Sequence, residues 1–211
     1  QAERVSAQLP AAIAERVVWL DGPIEEAWDG IVFANEVIDA LPTPRFVIDQ
    51  GYVYEETVKV GADGRFIAGT APADVLLEKA VRNIERDLGH ELPNGYRSEA
   101  LMQLPYWIQA VAGGLGRGAM LFVDYGYVRR EYYQADRDQG TIRAFYRHQV
   151  HNDVFAWPGL QDITASVDFT AMAEAGTGAG FELAGYTNQA SFLLGNGVDQ
   201  ALLEAESRTD E

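Results

Sequence analysis

Residues 119–127 read Ala-Met-Leu-Phe-Val-Asp-Tyr-Gly-Tyr, an apolar run that stops at an aspartate. A short apolar run without alternation is typical of a strand whose two faces are both covered. The run Gly30–Phe33 has the same character and is followed by the polar pair Asn35-Glu36. Such runs alternate with helical patterns along the chain, which predicts an α/β fold with a largely parallel sheet.

Further strands and a hairpin insertion are predicted around these two runs. The β-branched run Val17–Leu20 predicts a strand, and Phe181–Gly185 and Ser191–Leu194 are candidate final strands. Between residues 45 and 67, two turn signals, Asp49-Gln50-Gly51 and Ala62-Asp63-Gly64, predict antiparallel hairpins. We therefore divide the chain into an α/β core, residues 1–44 and 115–211, and an inserted hairpin and helical subdomain, residues 45–114.

Helical spacing of apolar residues predicts four helices. They are Gln1–Glu15, Val75–Leu88 with Asp74 as N-cap and Gly89 as its end, a helix from near Pro105 to Gly113, and Phe169–Ala175 with Asp168 as N-cap. Residues 129–164 show little periodicity, and a long irregular segment in a compact domain is usually functional or disordered. The glycine-rich stretch 176–180 follows a helix and is interpreted as a helix end, not a phosphate loop.

The composition excludes several classes of protein. The 211 residues carry 16 Lys and Arg against 32 Asp and Glu, a formal net charge of −16. This charge repels nucleic acids and anionic membranes, so cationic partners are favoured. The chain has no cysteine and only three histidines, so thiolate sites are excluded and no metal site is expected. The apolar runs are too short to span a membrane.

The polar residues that follow the predicted strand Gly30–Phe33 form the first candidate site. Asn35, Glu36 and Asp39 follow Gly30–Phe33, and ligands of parallel sheets bind beyond the carboxyl ends of the strands. Carboxylates there could clamp a cation, and a guanidinium is met bidentately by a carboxylate. The alternative is that Asn35 and Asp39 cap a helix while Glu36 is a surface residue.

A second candidate site follows the strand at residues 119–123. Asp124 and Tyr125 could orient a substrate, and Gly126 permits a close backbone approach. The alternative is an aspartate that bonds its own turn. Downstream candidates are Arg143, His148, Asp162 and Asp168. His148 could transfer a proton near neutral pH, or it could be an ordinary surface residue.

Four motifs in this order resemble the MidA / DUF185 family. They are Ala34-Asn35-Glu36 through Asp39-Ala40-Leu41-Pro42, Phe122-Val123-Asp124-Tyr125-Gly126, Gly140-Thr141-Ile142-Arg143 with His148, and Pro158-Gly159 followed by residues 162–169. The resemblance covers residues 17–197 and implies a class I S-adenosylmethionine-dependent methyltransferase. Mitochondrial members of that family are complex I assembly factors, and one methylates an arginine.

The resemblance also implies roles for individual residues. Glu36 would hold the guanidinium, with Asn35 and Asp39 shaping the acceptor end and His148 lining the cleft. The implied substrate-binding residues are Asp124, Tyr125, Gly126, Arg143, Asp162 and Asp168. Asn35 and Asp21 are candidates for contact with S-adenosylmethionine. The chain starts within a predicted helix, so we expect the glycine-rich donor-binding motif upstream of residue 1.

Two functions of different classes follow. The first is methylation of an arginine in a basic protein client, in the bacterial cytoplasm or, for an organellar protein, in the mitochondrial matrix. The second is a non-catalytic assembly chaperone for a basic client, which the net charge and the aromatic segment 125–157 also suit. No nucleic-acid or membrane partner is expected, and a homodimer is possible. The patterns of serine hydrolases and dinucleotide-binding enzymes are both missing.

Overall fold

The computed structural model describes residues 2–209 and confirms the predicted α/β class. The strands are β1 (Trp28–Asn35), β2 (Arg45–Asp49), β3 (Tyr52–Val60), β4 (Phe66–Pro72), β5 (Arg97–Glu99), β6 (Leu115–Val123), β7 (Gly126–Tyr127), β8 (Arg143–Tyr146), β9 (Gln149–His151), β10 (Asp162–Thr164) and β11 (Val167–Asp168). The α-helices are α1 (Ala2–Gln8), α2 (Ala11–Ala14), α3 (Val75–Leu88), α4 (Leu104–Ala112), α5 (Arg129–Tyr132), α6 (Phe169–Gly178), α7 (Gln189–Gly195) and α8 (Val198–Thr209).

The parallel pair β1 and β6 positions the candidate site. Register pairs Gly30 with Gly118 and Asn35 with Val123, so both strands end at the same edge. The backbone N–H of Glu36 donates to the carbonyl of Val123 at 2.8 Å and extends this pairing past the strand end. The polar residues that follow β1 and β6 are therefore brought together, as parallel strands require.

The prediction that β1 is covered on both faces is wrong for the described residues. Ile31 is 73% exposed and Phe33 is 64% exposed. Helices α4 and α6 pack against Met120 and Phe122, which stand in register with Val32 and Ala34 on one face of the pair. Because side chains alternate along a strand, Ile31 and Phe33 lie on the opposite face, which has no comparable cover between residues 2 and 209.

The antiparallel part of the chain agrees with the sequence. Strands β2, β3, β4 and β5 form one sheet in the order β4-β3-β2-β5, with hairpin turns at the two predicted places. Helix α3 has the predicted bounds. Asp74 Oδ1 caps its start by accepting from the N–H of Leu77 at 2.8 Å, and Gly89 ends it with a φ of 80°. The main core lies between this sheet and α3, with Phe46, Leu77 and Val81 fully buried.

Helices α4 and α6 form a second core with the parallel pair. Leu104 and Ile108 of α4 pack with Val167 and Met172. Asp168 caps α6 as predicted, but α6 continues past the predicted end at Ala175 to Gly178. The helix thus ends within the glycine-rich stretch, which confirms that stretch as a helix end. Helix α4 belongs to the predicted subdomain 45–114, and it packs on α6 of the predicted core. The division of the chain at residue 114 therefore stays a prediction.

The segment 129–164 is more ordered than its sequence indicated. It contains α5, a single 3₁₀ turn at Ala135–Arg137, and the antiparallel sheet β10-β8-β9. Arg147 and His148 join β8 to β9 with φ of 48° and 64°, the left-handed pair of a tight hairpin turn. Strands of three or four residues are too short to show periodicity in the sequence.

Three predicted strands are wrong. Val17–Leu20 and Phe181–Gly185 have no regular secondary structure, and Ser191–Leu194 lies inside α7. Asn188 Oδ1 caps α7 by accepting from the N–H of Ser191 at 2.8 Å, a local bond that decides between helix and strand. The predicted helix Gln1–Glu15 is interrupted near Pro10, as proline requires, and Gln1 itself lies outside the described residues. Within residues 2–209 no helix combines the length and hydrophobicity needed to cross a bilayer.

Candidate functional site

Asp124 ties the segment after β1 to the end of β6. Its Oδ2 accepts from the backbone N–H groups of Ile38 at 3.1 Å and Asp39 at 3.3 Å, and its Oδ1 accepts from the N–H of Tyr125 at 2.9 Å. Burial and the charge of Asp39 raise the pKa of Asp124 against the lowering effect of these backbone bonds. Asp124 thus bonds its own turn, as the alternative interpretation proposed. It also fixes the backbone of Ile38 and Asp39 in the segment after β1.

A cluster of polar side chains forms beside it. Asp39 is 5% exposed, and its Oδ2 lies 2.5 Å from the phenol oxygen of Tyr125, which is itself 2.6 Å from Thr164 Oγ1. The phenol has one proton, so it donates to the carboxylate while Thr164 donates to the phenol oxygen. Burial raises the pKa of Tyr125, and the bond to Asp39 adds to that effect, so the phenol stays protonated. We call Asp39, Asp124, Tyr125 and Thr164 the Asp39 cluster.

Asn35 and Glu36 are exposed at the end of β1. Glu36 has a φ of 49°, an uncommon conformation for a residue other than glycine. No helix begins between residues 35 and 42, so the alternative in which Asn35 and Asp39 are helix caps is wrong. An exposed amide and an exposed carboxylate therefore stand next to the Asp39 cluster along the chain and can accept hydrogen bonds from a ligand.

The other predicted residues lie outside the Asp39 cluster, although Arg143 of β8 pairs in register with Thr164 of β10. Asp21 lies in an exposed turn before β1, Arg143 and Asp162 are exposed on β8 and β10, and His148 is exposed in the β8–β9 turn. The guanidinium of Arg143 donates to the carbonyl of Ile142. No hydrogen bond or ion pair within residues 2–209 joins these four side chains to the Asp39 cluster. Their predicted roles stay predictions.

Gly126 and Asp168 have clear structural partners. A Cβ at Gly126 would lie 2.0 Å from the carbonyl oxygen of Val167, so the close approach is to β11. Asp168 Oδ1 accepts from the N–H groups of Thr170 and Ala171, and Oδ2 pairs with Arg129 at 3.2 Å. Burial raises the pKa of Asp168 although Arg129 opposes this. Both residues are used within the fold.

Sequence reasoning missed Arg129. Its guanidinium bonds Asp87 of α3 at 2.6 Å, Glu174 of α6 at 2.5 and 2.8 Å, and Asp168. Desolvation lowers the pKa of Arg129, but the bonds and charges of Glu174 and Asp168 outweigh it and raise the pKa above its ordinary value. Its partners are about 40 residues away in sequence, so no local pattern marks it.

Glu99 was missed as well, although a motif pointed to its neighbours. It is 1% exposed, and its carboxylate accepts from the N–H and hydroxyl of Thr141 and from Arg45. A Cβ at Gly140 would lie 2.2 Å from this carboxylate. The motif at residues 140–143 thus encloses a buried glutamate. Among the described residues no group of three His, Cys, Asp or Glu side chains could hold a metal ion.

Comparison with known proteins places the chain in a family. A family model described as "Putative S-adenosyl-L-methionine-dependent methyltransferase" matches residues 1–187. The chain belongs to this methyltransferase family. The resemblance to MidA / DUF185 proteins is thereby confirmed.

Solved structures and curated relatives agree with this assignment. A crystal structure from Burkholderia thailandensis, bound to S-adenosyl-homocysteine, has a TM-score of 0.86 and 40% identity, covering 97% of this chain and 51% of that one. A native structure from the same organism has a TM-score of 0.86 and 41% identity, over 97% and 53% of the two chains. The fold is therefore that of the S-adenosyl-homocysteine-bound relative.

Curated relatives carry a more specific name. The zebrafish protein arginine methyltransferase NDUFAF7, mitochondrial, is 28% identical over 186 residues, which are 85% of this chain and 40% of the relative. The rat protein of the same name is 39% identical over 85 residues, covering 40% of this chain and 17% of its own. The chain spans about half the length of the solved relatives and less of the curated ones.

Proposed function

We propose that this methyltransferase transfers a methyl group from S-adenosylmethionine to an arginine of a basic protein. The observation that carries the proposal is the exposed carboxylate of Glu36 at the common carboxyl end of β1 and β6, beside the fixed Asp39 cluster. Names of the relatives support the reaction class and the acceptor. The net charge of −16 supports a basic client, since opposite charge speeds the encounter of two proteins.

Glu36 has the chemistry that the acceptor needs. A guanidinium donates two parallel N–H bonds to a carboxylate, which fixes the plane of the group and directs one nitrogen outward. S-adenosylmethionine, when bound, supplies an electrophilic methyl group. Formation of the nitrogen–carbon bond would accompany cleavage of the sulfur–carbon bond, and the nitrogen would then release one proton to solvent, which gives methylarginine and S-adenosyl-homocysteine. Glu36 stabilises the positive charge of the guanidinium throughout.

Asn35 fits a role toward the methyl donor. Its side chain is exposed at the last position of β1, where ligands of parallel sheets bind. The amide offers both a donor and an acceptor to the polar groups of that molecule. Asp21 is a second exposed candidate, but it precedes β1 in the chain and does not follow the carboxyl end of that strand.

The experiment compares the substitution Glu36→Gln with Glu91→Gln, an exposed glutamate beyond the end of α3. The full-length protein, including the segment expected upstream of residue 1, is incubated with methyl-labelled S-adenosylmethionine and an arginine-containing basic protein, and labelled methylarginine is counted after hydrolysis. We expect Glu36→Gln to reduce turnover at least about 100-fold, because neutral glutamine loses the charge and one of two acceptors. Glu91→Gln should match the wild type.

Two results would contradict the proposal. Unchanged turnover of Glu36→Gln would remove the assigned role of Glu36. Binding of the basic protein without methyl transfer, and without a calorimetric signal for S-adenosylmethionine, would favour the assembly chaperone.

A further inference from the structure

A groove with a volume of about 570 Å³ lies among α3, α4, α5 and α6, and its lining includes Asp168 but not Asn35, Glu36 or Asp39. Ligand pockets commonly have volumes of roughly 300–1,000 Å³. We propose that this groove binds a segment of the protein client in which apolar side chains alternate with arginine or lysine. The proposal rests on the proposed function for the existence of a basic client, and it adds where that client docks.

The walls provide space for apolar side chains. Small residues line the groove on two facing helices, among them Ala80 of α3 and Ala171 of α6. Leu101 and Met102, both partly exposed, add larger apolar surface. Exposed residues such as Pro105 and Gln109 stand among the lining residues, so the groove is open to solvent. Burial of one leucine-sized side chain in such a site contributes about 1.5–3 kcal/mol.

The charges of the walls select a cation. Three carboxylates, Asp87, Asp168 and Glu174, line the groove against Arg86 and Arg129; a fourth, Glu99, has a side chain that is 0% exposed and is paired with Arg45. Arg129 already bonds three carboxylates, and Arg86 lies 3.5 Å from Asp87, so neither is free to hold an anion. Glu174 is 57% exposed in its side chain and can accept further hydrogen bonds. An acidic segment would meet a net negative wall, whereas a basic segment would not.

The groove and the Asp39 cluster share two backbone segments. Ile38 lines the groove, and the next residue, Asp39, bonds Tyr125. Residues 165–167 line the groove, and the preceding residue, Thr164, also contacts Tyr125. In each segment, adjacent residues, whose Cα atoms are about 3.8 Å apart, serve the groove and the Asp39 cluster. The groove and the cluster are therefore separated by these two backbone segments. A client segment in the groove lies on the other side of these two segments from the Asp39 cluster.

The experiment measures peptide binding by fluorescence anisotropy, with the full chain and without any methyl donor. The probe is a fluorescein-labelled peptide of alternating leucine and arginine with glycine spacers. Two comparison peptides carry glutamate in place of arginine or glycine in place of leucine. We expect the leucine–arginine probe to bind at least about tenfold more tightly than either.

Two variants locate the binding. Ala171→Phe fills the groove and should weaken binding at least about tenfold, while Thr177→Phe on the same helix, outside the groove, should not. Glu174→Gln keeps an acceptor for Arg129, removes one rim charge, and should weaken binding about threefold or more. Its control is Glu182→Gln, an exposed glutamate outside the groove. Circular dichroism verifies that each variant is folded.

Several outcomes would overturn the docking site. One is that Ala171→Phe and Glu174→Gln both bind the probe as tightly as the wild type. Another is that the glutamate peptide binds as tightly as the leucine–arginine probe. A third is a concentration-dependent dimer that Ala171→Phe dissociates, which would identify a second copy as the occupant. Because the assay contains no methyl donor, failure of methyl transfer leaves its result intact. Conversely, if the groove variants bind the peptide like the wild type, the role assigned to Glu36 is unaffected.

Discussion

At the scale of single residues, the site depends on carboxylates in different surroundings. Glu36 is exposed and available to a ligand, whereas Asp39 is buried and its Oδ2 holds the phenol of Tyr125. Asp39 Oδ1 is also buried and accepts no hydrogen bond from any group within residues 2–209. Such a group is retained at a cost of about 1–3 kcal/mol. The polar segments after β1 and β6 are thus held in place at some expense of stability, as is common for functional sites.

Asp124 should make stability depend on pH in the direction opposite to an ordinary ion pair. Its pKa is raised by burial and by Asp39 above the usual value of about 3.9. The folded state therefore binds the proton more tightly than the unfolded state. The stabilising contribution is complete below about pH 3.9 and is lost as the pH rises through the raised pKa. In urea denaturation across this range, wild type should lose stability relative to Asp124→Asn.

NMR titration of the Asp124 carboxyl carbon provides a direct measurement. Glu91→Gln, an exposed change, serves as the control and should give the pH dependence of the wild type. A midpoint at or below the ordinary aspartate value would contradict the prediction.

At the scale of elements, two glycines allow strands to meet. A Cβ at Gly118 would lie 1.7 Å from the carbonyl oxygen of Gly30, within the β1–β6 pair. A Cβ at Gly126 would lie 2.0 Å from the carbonyl oxygen of Val167, within the β7–β11 pair. Both obstacles are backbone atoms, which cannot move aside as a flexible side chain can. The first contact holds β1 against β6, and the second connects the segment after β6, with Asp124 and Tyr125, to the start of α6.

Gly126→Ala should therefore destabilise the fold. We expect a loss of about 1–3 kcal/mol in the free energy of unfolding, the usual cost of overpacking. Gly185→Ala is the matched control, because a Cβ there meets nothing within 4 Å. Thermal and urea denaturation of both variants provide the measurement, and equal stability of the two would show that β11 does not pack as closely as described.

At the scale of the whole molecule, Arg129 joins parts of the chain that the sequence separates. It connects α3, which packs on the antiparallel sheet, with α6, which packs on the parallel pair. Its side chain is 11% exposed and that of Asp168 is 10% exposed, so this pair is shielded from solvent, whereas Asp87 and Glu174 are more accessible. Arg129 is therefore one of the contacts that join the two cores.

Arg129→Met should cost about 3 kcal/mol of stability. Removing one partner leaves the buried Asp168 without its opposite charge, which is more costly than the pair itself is worth. Arg130→Met is the matched control, because Arg130 is the exposed neighbour on α5. Urea denaturation measures both variants. A loss below about 1 kcal/mol for Arg129→Met, close to that of the control, would contradict the prediction. It would mean that the Arg129–Asp168 pair contributes no more to the free energy of unfolding than a surface ion pair does.

Local signals account for the elements that the sequence predicted well. Helix α3 has a cap, an apolar face and a terminal glycine within 16 residues, and the hairpins have their turn residues in place. Val17–Leu20 and Ser191–Leu194 failed because a run of only three or four apolar residues fits a strand, a helix or an exposed segment equally well. For α7 the side chain of Asn188 decided the outcome.

The sequence by itself determined the α/β class, the two strands that end in polar residues, and the residues Asn35, Glu36, Asp39, Asp124 and Tyr125 as candidates. Order along the chain and strand polarity suffice for this, because parallel strands end at one edge. Only the tertiary structure decided that Asp39 bonds Tyr125 and Thr164, that Gly140 and Thr141 enclose Glu99, and that Arg129 meets three carboxylates. These partners lie 39 to 86 residues apart, and their meeting depends on packing that no local pattern encodes.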